Sequence, residues 1–475
     1  MAREAKEHCG LFGVFGCDDA VEKVYYGLYA LQHRGEESAG IASTNGVELM
    51  CYRGMGLVGD IFSRTVLENL KAPAAIGHLR YSTVGSSNIS NCQPIPFTYS
   101  RGKVAIAHNG QLVNAHRLRA EYEAHGAIFQ TTTDTEIIVH LMARPSHAAH
   151  RAGMLSALSQ LEGAYSLLLL SLQEMIGVRD PNGFRPLCLG EVDCGYVLAS
   201  ETCALDQIGA RYIRDVAPGE AVFISKEGIR SETFCAKERV RPTQCIFELI
   251  YFSRPDSRVY GESVHRFRMA LGRRLAQEHP VPSDIVVAVP EGGNSAALGY
   301  SHASGIPLDR GFIRNHYIGR TFIQPSQSRR ARMAELKLNP VRAVVEGKRV
   351  VVVDDSIVRG TTARSRVRLL REAGAKEIHL RITCPPHRFP CYYGIDFQLK
   401  QELIAASYTL AEIREFLKVD TLGYLSGEGM LSCVATRPEH FCAACFTGSY
   451  PVPVEDLERE AEVKYAAERS RAAQP

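Results

Sequence analysis

Residues 350–362 read VVVVDDSIVRGTT, and no other stretch limits the fold of this chain as sharply. Four consecutive valines without polar alternation suit a strand buried on both faces, as in the middle of a parallel sheet. Two carboxylates, Asp354 and Asp355, arrive together at the C-terminal end of that strand, where open α/β sheets bind their ligands. Ser356, Gly360, Thr361 and Thr362 follow and lead into a helical pattern over 361–373. Backbone N–H groups of such a loop and helix start cradle a phosphate. Paired carboxylates repel an anion unless they meet sugar hydroxyls or Mg²⁺, so the pocket suits a phosphorylated sugar. The plain structural alternative is an acidic strand end followed by an N-capped helix.

The neighbouring sequence keeps the same rhythm. Residues 284–289 form another unbroken apolar run, and 377–382 read as the next strand, which makes a βαβ progression and an α/β domain. The first half, to about residue 235, differs. Short apolar strands alternate with turns at 10–16, 41–52 (with an Asn45-Gly46 hairpin signal), 74–79 and 104–107, and helical patterns fall at 21–32 and 134–143. That is an α+β layering. A domain boundary is expected near 235–245, and a charged helical tail over 454–471.

At 475 residues the chain suits two to three domains. A net charge of +3 gives no global drive toward nucleic acid or an acidic membrane. No apolar run approaches the roughly 18 residues of a membrane span, and residues 1–8 (MAREAKEH) lack the apolar core of a secretory signal. A cytoplasmic setting is the expectation. There the 14 cysteines should be mostly reduced, which turns attention to a nucleophile or a metal site.

At this point the motifs become recognisable. The segment 350–362 resembles the phosphoribosyl pyrophosphate (PRPP) loop of type I phosphoribosyltransferases. By that resemblance Asp354 and Asp355 hold ribose hydroxyls and Mg²⁺, and residues 356–362, including Arg359, bind the 5′-phosphate. In the first half, Cys9 opens Cys9-Gly10-Leu11-Phe12-Gly13, where a lone cysteine would ordinarily be a core residue. Gln32-His33-Arg34-Gly35, the 78–83 segment HLRYST, His108-Asn109-Gly110 and Thr133-Asp134-Thr135-Glu136 follow in order. Together they resemble the signatures of N-terminal-nucleophile glutamine amidotransferases.

The chemistry explains the residue types. Amide hydrolysis wants a sulfur nucleophile and a stabilised oxyanion. If Cys9 becomes the first residue, its α-amino group, with a pKa of about 7.7–8, serves as the base and no histidine is required. The resemblance assigns the oxyanion hole to Asn109 and Gly110, and the glutamine pocket to Arg34, Arg80 and Asp134. Arg80 would meet the substrate carboxylate and Asp134 its ammonium. It also implies that residues 1–8 are a propeptide cleaved after His8, a position where relatives often carry Glu.

A glutaminase joined to a PRPP loop resembles the glutamine phosphoribosylpyrophosphate amidotransferases, which open purine synthesis. Residues 178–186, 200–210, 245–257 and 315–323 share the resemblance. It implies an αββα-sandwich glutaminase domain over 9–240, an α/β phosphoribosyltransferase domain with a parallel sheet over 241–440, and a C-terminal cysteine motif and helical tail over 441–475. Ammonia released from glutamine would pass through an internal channel to C1 of PRPP, giving 5-phosphoribosylamine and pyrophosphate. Purine nucleotides are the implied inhibitors and a homotetramer the implied assembly, with no nucleic-acid or membrane partner. The basic stretch 320–340 would order over PRPP and exclude water, with Lys337 keeping the family pattern.

Cys442-Ala443-Ala444-Cys445 is a CxxC motif, weak evidence alone. Cluster-bearing members of the family place four thiolates at positions matching Cys245, Cys391, Cys442 and Cys445. A 4Fe–4S cluster is the implied occupant, with tetrahedral Zn²⁺ the alternative; Cys384 and Cys433 are read as non-ligands. Two departures stand out. Gly292 occupies a position where the family usually has Ser or Thr toward the metal and pyrophosphate, and Met333-Ala334 replaces a common Val–Arg pair. These leave open a second reading, a PRPP- or nucleotide-binding regulator with weak or no transferase activity. A third, delivery of ammonia to another acceptor such as fructose 6-phosphate or aspartate, is disfavoured by residues 354–362.

Overall fold

A computed structural model of the chain describes residues 9–81, 88–144, 150–315, 338–454 and 457. The N-terminal half contains two antiparallel sheets. β1 (Gly10–Phe15), β2 (Ser38–Thr44), β3 (Leu49–Met55) and β4 (Ala74–Arg80) join β9 (Cys188–Val192), β10 (Gly195–Ala199) and β11 (Arg211–Asp215) in the order β11-β9-β10-β1-β4-β2-β3. The second sheet uses β5 (Ile95–Tyr99), β6 (Gly102–Leu112), β7 (Gly163–Ser171), β8 (Glu174–Arg179), β12 (Glu220–Ser225) and β13 (Gly228–Thr233), in the order β13-β12-β8-β7-β6-β5. Leu11, Ile76, Leu168, Leu170, Leu198 and Val222 interdigitate between the sheets.

Each sheet also buries its outer face. The helix Ala20–Ala30 packs Val24 and Leu28 on the first sheet. Helices Glu136–Met142 and His150–Gln160 cover the second with Ile137, Leu141 and Leu158. The result is the expected four-layer αββα sandwich. Asn45 makes the anticipated hairpin, its Oδ1 accepting from the N–H groups of Val47 and Glu48, both at 2.9 Å. β7 is the inner strand on which β6 is registered residue for residue.

The second half is built on a five-stranded parallel sheet. Ile285–Ala288 and Arg349–Asp354 lie side by side at its centre, flanked by Leu308–Asp309, Glu377–Ile382 and Thr421–Tyr424. Val350 to Val353 are all nearly inaccessible, with helices on both faces, which is why they show no polar alternation. The segment around Phe441 and Cys445 belongs to this core, and the strand Phe441–Cys442 pairs with Gln244–Cys245.

One expectation needs qualifying. Cys17 and Cys194 form a disulfide that joins the end of β1 to the β9–β10 turn. Sequence alone offered no reason to pair cysteines 177 residues apart; the pairing of β1 with β10 brings them together. Among the described residues no helix is long and apolar enough to cross a membrane.

Candidate active sites

Cys9 lies at the mouth of β1, whose first residue, Gly10, is opposite Leu79 of β4. This puts Cys9 beside the end of β4, with its Sγ 3.7 Å from the carbonyl of Tyr81. Burial pushes the thiol pKa up; Tyr81 and the nearby Arg80 act in the opposite direction. Arg80 is 3% exposed and ion-paired with Glu37 at 2.6 Å. Ser82 and Thr83 of the same motif lie outside the described residues.

Asn109 and Gly110 come from the middle of β6, opposite Ser166 and Tyr165. His78 Nε2 meets the carbonyl of His108 at 3.1 Å, joining the two sheets one residue from Asn109 and two from Arg80. The Asn109 side chain is fully buried, and neither amide atom has a hydrogen-bond partner among the described residues. An unpaired buried amide costs about 1–3 kcal/mol, so its retention calls for an explanation outside folding. Asp134 accepts from Leu112 N–H at 2.9 Å and lies 3.5 Å from His108 Nδ1. Burial would raise its pKa, but His108 together with hydrogen bonds from Leu112 and Thr133 holds it below the ordinary carboxylate value.

Arg34 departs from its expected place among the glutamine ligands. Its Nε donates to the carbonyl of Cys9 at 3.0 Å, and its Nη atoms donate to Glu201 at 2.6 Å and to both oxygens of Glu248 at 3.0 and 2.8 Å. With the guanidinium committed to protein acceptors, Arg34 supports the backbone of the nucleophile from behind.

In the second half, Asp354 ends its strand and accepts from Arg366 Nη1 at 2.7 Å. Asp355 accepts from Ser356 Oγ at 2.6 Å, and burial together with the Asp354 charge pushes its pKa up. Gly360 adopts a left-handed conformation, φ +79°, and the helix Thr361–Glu372 starts after it with no side-chain cap. The first-turn N–H groups thus remain available for an anion. Arg359, in the same loop, pairs through its Nη2 with Glu402 at 2.6 Å. Lys337 and most of 320–340 lie outside the described residues. Gly292 faces Asp355 directly; a Cβ there would sit 1.9 Å from Asp355 Oδ2.

Cys245, Cys391, Cys442 and Cys445 converge from three chain segments. Cys245 is in register with Cys442 across a short parallel pair, and the Cys445 carbonyl accepts from the N–H groups of Arg388 and Phe389 close to Cys391. The four thiols interact electrostatically, and burial pushes all of them up, Cys245 to about 11. No three of them bring their sulfurs within 4.8 Å of one another. Four thiolates on one Zn²⁺ at 2.3 Å would stand about 3.8 Å apart, closer than the arrangement here. Cys384 is buried nearby and faces His387 at 4.0 Å.

Sequence reasoning missed the charges buried between the halves. Glu201, Glu248, Arg34 and Arg185 are all fully buried and linked by ion pairs of 2.6 to 3.2 Å. Arg366 and Glu402, the partners of Asp354 and Arg359, were also missed. A buried charge in a strand-and-turn pattern was the available signal, but partners 214 residues apart leave no local spacing to read.

These features define a two-part enzyme class, a glutamine amidotransferase domain joined to a phosphoribosyl transferase domain. Family models with those descriptions match residues 78–207 and 268–388. The chain is 48% identical over 453 residues to the amidophosphoribosyltransferase of Bacillus subtilis, covering 94% of this chain and 95% of that one. It is 49% identical over 469 residues to the enzyme of the same name from a Synechocystis species, covering 97% and 94%. A solved structure of the B. subtilis glutamine PRPP amidotransferase, complexed with ADP and GMP, superimposes with a TM-score of 0.88 over 94% of this chain and 98% of that one. The chain belongs to the amidophosphoribosyltransferase family.

Proposed function

We propose that this protein hydrolyses glutamine at Cys9 and transfers the ammonia to C1 of PRPP, forming 5-phosphoribosylamine, glutamate and pyrophosphate. The observation that carries the reading is Asn109, a buried amide with no hydrogen-bond partner among the described residues, next to His108, whose carbonyl meets His78 on the strand that ends at Arg80. Removal of residues 1–8 frees the Cys9 amine, which takes the thiol proton. The thiolate attacks the glutamine side-chain carbonyl, and Asn109 Nδ2 with the Gly110 N–H holds the developing oxyanion. Ammonia leaves, and water cleaves the thioester to release glutamate. Arg80, exchanging Glu37 for substrate, and Asp134 hold the two charged ends of glutamine.

In the transferase half, residues 356–362 bind the 5′-phosphate at the helix start, and Asp354 and Asp355 face the ribose. The same carboxylates would hold Mg²⁺, which neutralises charge on the departing pyrophosphate. Ammonia moves internally and attacks C1, and Lys337 completes the PRPP site. Four thiols brought together from three chain segments, no three of them with sulfurs within 4.8 Å of one another, support a 4Fe–4S cluster on Cys245, Cys391, Cys442 and Cys445. Its role is structural, since the reaction moves no electrons. A glutaminase domain over 9–240, a transferase domain over 241–440, a cytoplasmic setting and a homotetramer belong to the same proposal. So does inhibition by purine nucleotides, which the ADP and GMP of the B. subtilis complex support.

The test is pyrophosphate release from PRPP and Mg²⁺ by protein purified without oxygen. Release that requires glutamine is the expected result. Correctly processed, iron-loaded protein that releases none overturns the proposal.

A further inference from the structure

The glutaminase nucleophile is braced by a residue outside its own domain. Glu248 begins a π-helix, Glu248–Phe252, on the chain entering the transferase core. Single-turn π-segments are uncommon and cluster at functional sites. The Glu248 carboxylate is fully buried and accepts from four groups: Arg34 Nη1 at 3.0 Å, Arg34 Nη2 at 2.8 Å, Arg185 Nη1 at 3.2 Å and Ser253 Oγ at 3.3 Å. Arg34 in turn holds the Cys9 carbonyl at 3.0 Å. A planar guanidinium fixed by a two-point carboxylate pair has little freedom left, so the position of Glu248 sets the position of Arg34 and of the Cys9 backbone.

Two further contacts tie Glu248 to the rest of the molecule. On one side, Arg185 Nη2 donates to the Tyr393 carbonyl at 2.5 Å, and the next residue, Gly394, lies against Gly110. That segment begins at Cys391. On the other side, Arg268 grips the π-helix end to end. Its Nε donates to the Leu249 carbonyl and its Nη2 to the Ser253 carbonyl, both at 2.8 Å. Arg268 is itself buried. A continuous series of polar contacts thus runs from the Cys9 carbonyl through Arg34, Glu248 and the π-helix to Arg268.

We propose that Glu248 is a positioning residue for glutamine hydrolysis, supplied from the transferase side. This rests on the function proposed above. Glu248 touches neither substrate nor reacting atoms; it acts through Arg34.

The experiment compares wild type, Glu248→Gln and Arg268→Lys as full-length, processed protein in three assays. These are glutamate release from glutamine with and without PRPP, pyrophosphate release supported by ammonium chloride, and the rate of Cys9 alkylation by iodoacetamide. Glu248→Gln keeps the shape and removes the charge. It should lower glutaminase kcat about 100-fold, the cost of ångström-scale misplacement of a reacting group, and change the alkylation rate, while ammonia-supported synthesis persists. Arg268→Lys cannot bridge both carbonyls. It should loosen the helix that carries Glu248 and lower glutaminase kcat too, by less than Glu248→Gln, with ammonia-supported synthesis again retained, so the proposal has a second test in a variant that keeps the Glu248 carboxylate. Equal losses in both half-reactions, or no loss, overturn the proposal. A wild type with no glutamine-dependent pyrophosphate release overturns the function itself, a result distinguishable because it appears before any substitution is made.

Discussion

The Asp355 carboxylate lies against the bare face of Gly292, where a Cβ would stand 1.9 Å from its Oδ2. The residue type at 292 and the carboxylate position are therefore one feature. A side chain at 292 and Asp355 in its present place exclude each other. The departure from Ser or Thr at this position has its physical reason here.

Gly292→Ser is accordingly expected to impair the enzyme even though it restores the residue type usual in the family. The carboxylate must rotate away from Ser356, losing a hydrogen bond to a charged acceptor worth about 1.5–3 kcal/mol, which corresponds to a rise of roughly tenfold in the KM for PRPP. Steady-state kinetics over a range of Mg²⁺ concentration checks this. An unchanged KM would show that the carboxylate moves freely.

Asn109→Ala should separate activity from stability. Loss of an oxyanion donor lowers glutamine-dependent kcat by about 10²–10³, with ammonia-supported synthesis retained. Because the amide has no partner among the described residues, its removal breaks no hydrogen bond of the fold. Thermal unfolding of the variant should stay close to wild type.

Protein purified without oxygen should carry about four irons per chain. Cys445→Ser should lose them together with visible absorbance, whereas Cys384→Ser should keep both. One zinc and no iron would indicate that the thiols close on a single ion instead.

Glu136 carries an acid-dependent contribution to stability. Burial opposes its charge, but nearby His140 and hydrogen bonds from Gln130 and Thr131 hold its pKa down at about 2. A depressed carboxylate stabilises the fold above the unfolded pKa, about 4.3, and the contribution fades as pH falls toward 2. Glu136→Gln should therefore be less stable than wild type at pH 7, by about 1–3 kcal/mol, with the gap closing on acidification. Denaturant unfolding at several pH values measures it. The Glu136 contacts fix residues 130–131, just ahead of Asp134, so glutamine KM should rise as well.

Gly394→Ala should weaken glutamine hydrolysis more than ammonia-supported synthesis. Gly394 has φ +101°, and a Cβ would stand 3.1 Å from the Gly110 carbonyl carbon. Both the conformation and the contact penalise a methyl group, and the contact transmits the strain to the oxyanion backbone. Glutamate release and ammonia-supported pyrophosphate release, measured in parallel, test it.

Much of this architecture was legible in the amino-acid order because its causes are local. The run 350–353, the diacid and the loop to Thr361 are contiguous, so their periodicity and composition expose a buried strand, a ligand-facing strand end and a helix start. Residues 377–382 were read as a strand and are one. The motifs around Cys9, Asn109 and Asp134 each sit within a few residues of one another. The tertiary structure alone decided how they are supported. Arg34 was placed in the glutamine pocket by its motif, yet folding brings Glu248 to it across 214 residues and turns it to the Cys9 carbonyl. Arg359 was placed on the phosphate by its loop, and its ion pair with Glu402 comes from a segment 43 residues further on. Cys17 and Cys194 were expected to be thiols, yet strand pairing sets them together. Charges and thiols leave no periodic trace of their partners, because ion pairs and disulfides depend on distance in space, whereas strand and helix patterns depend on distance along the chain.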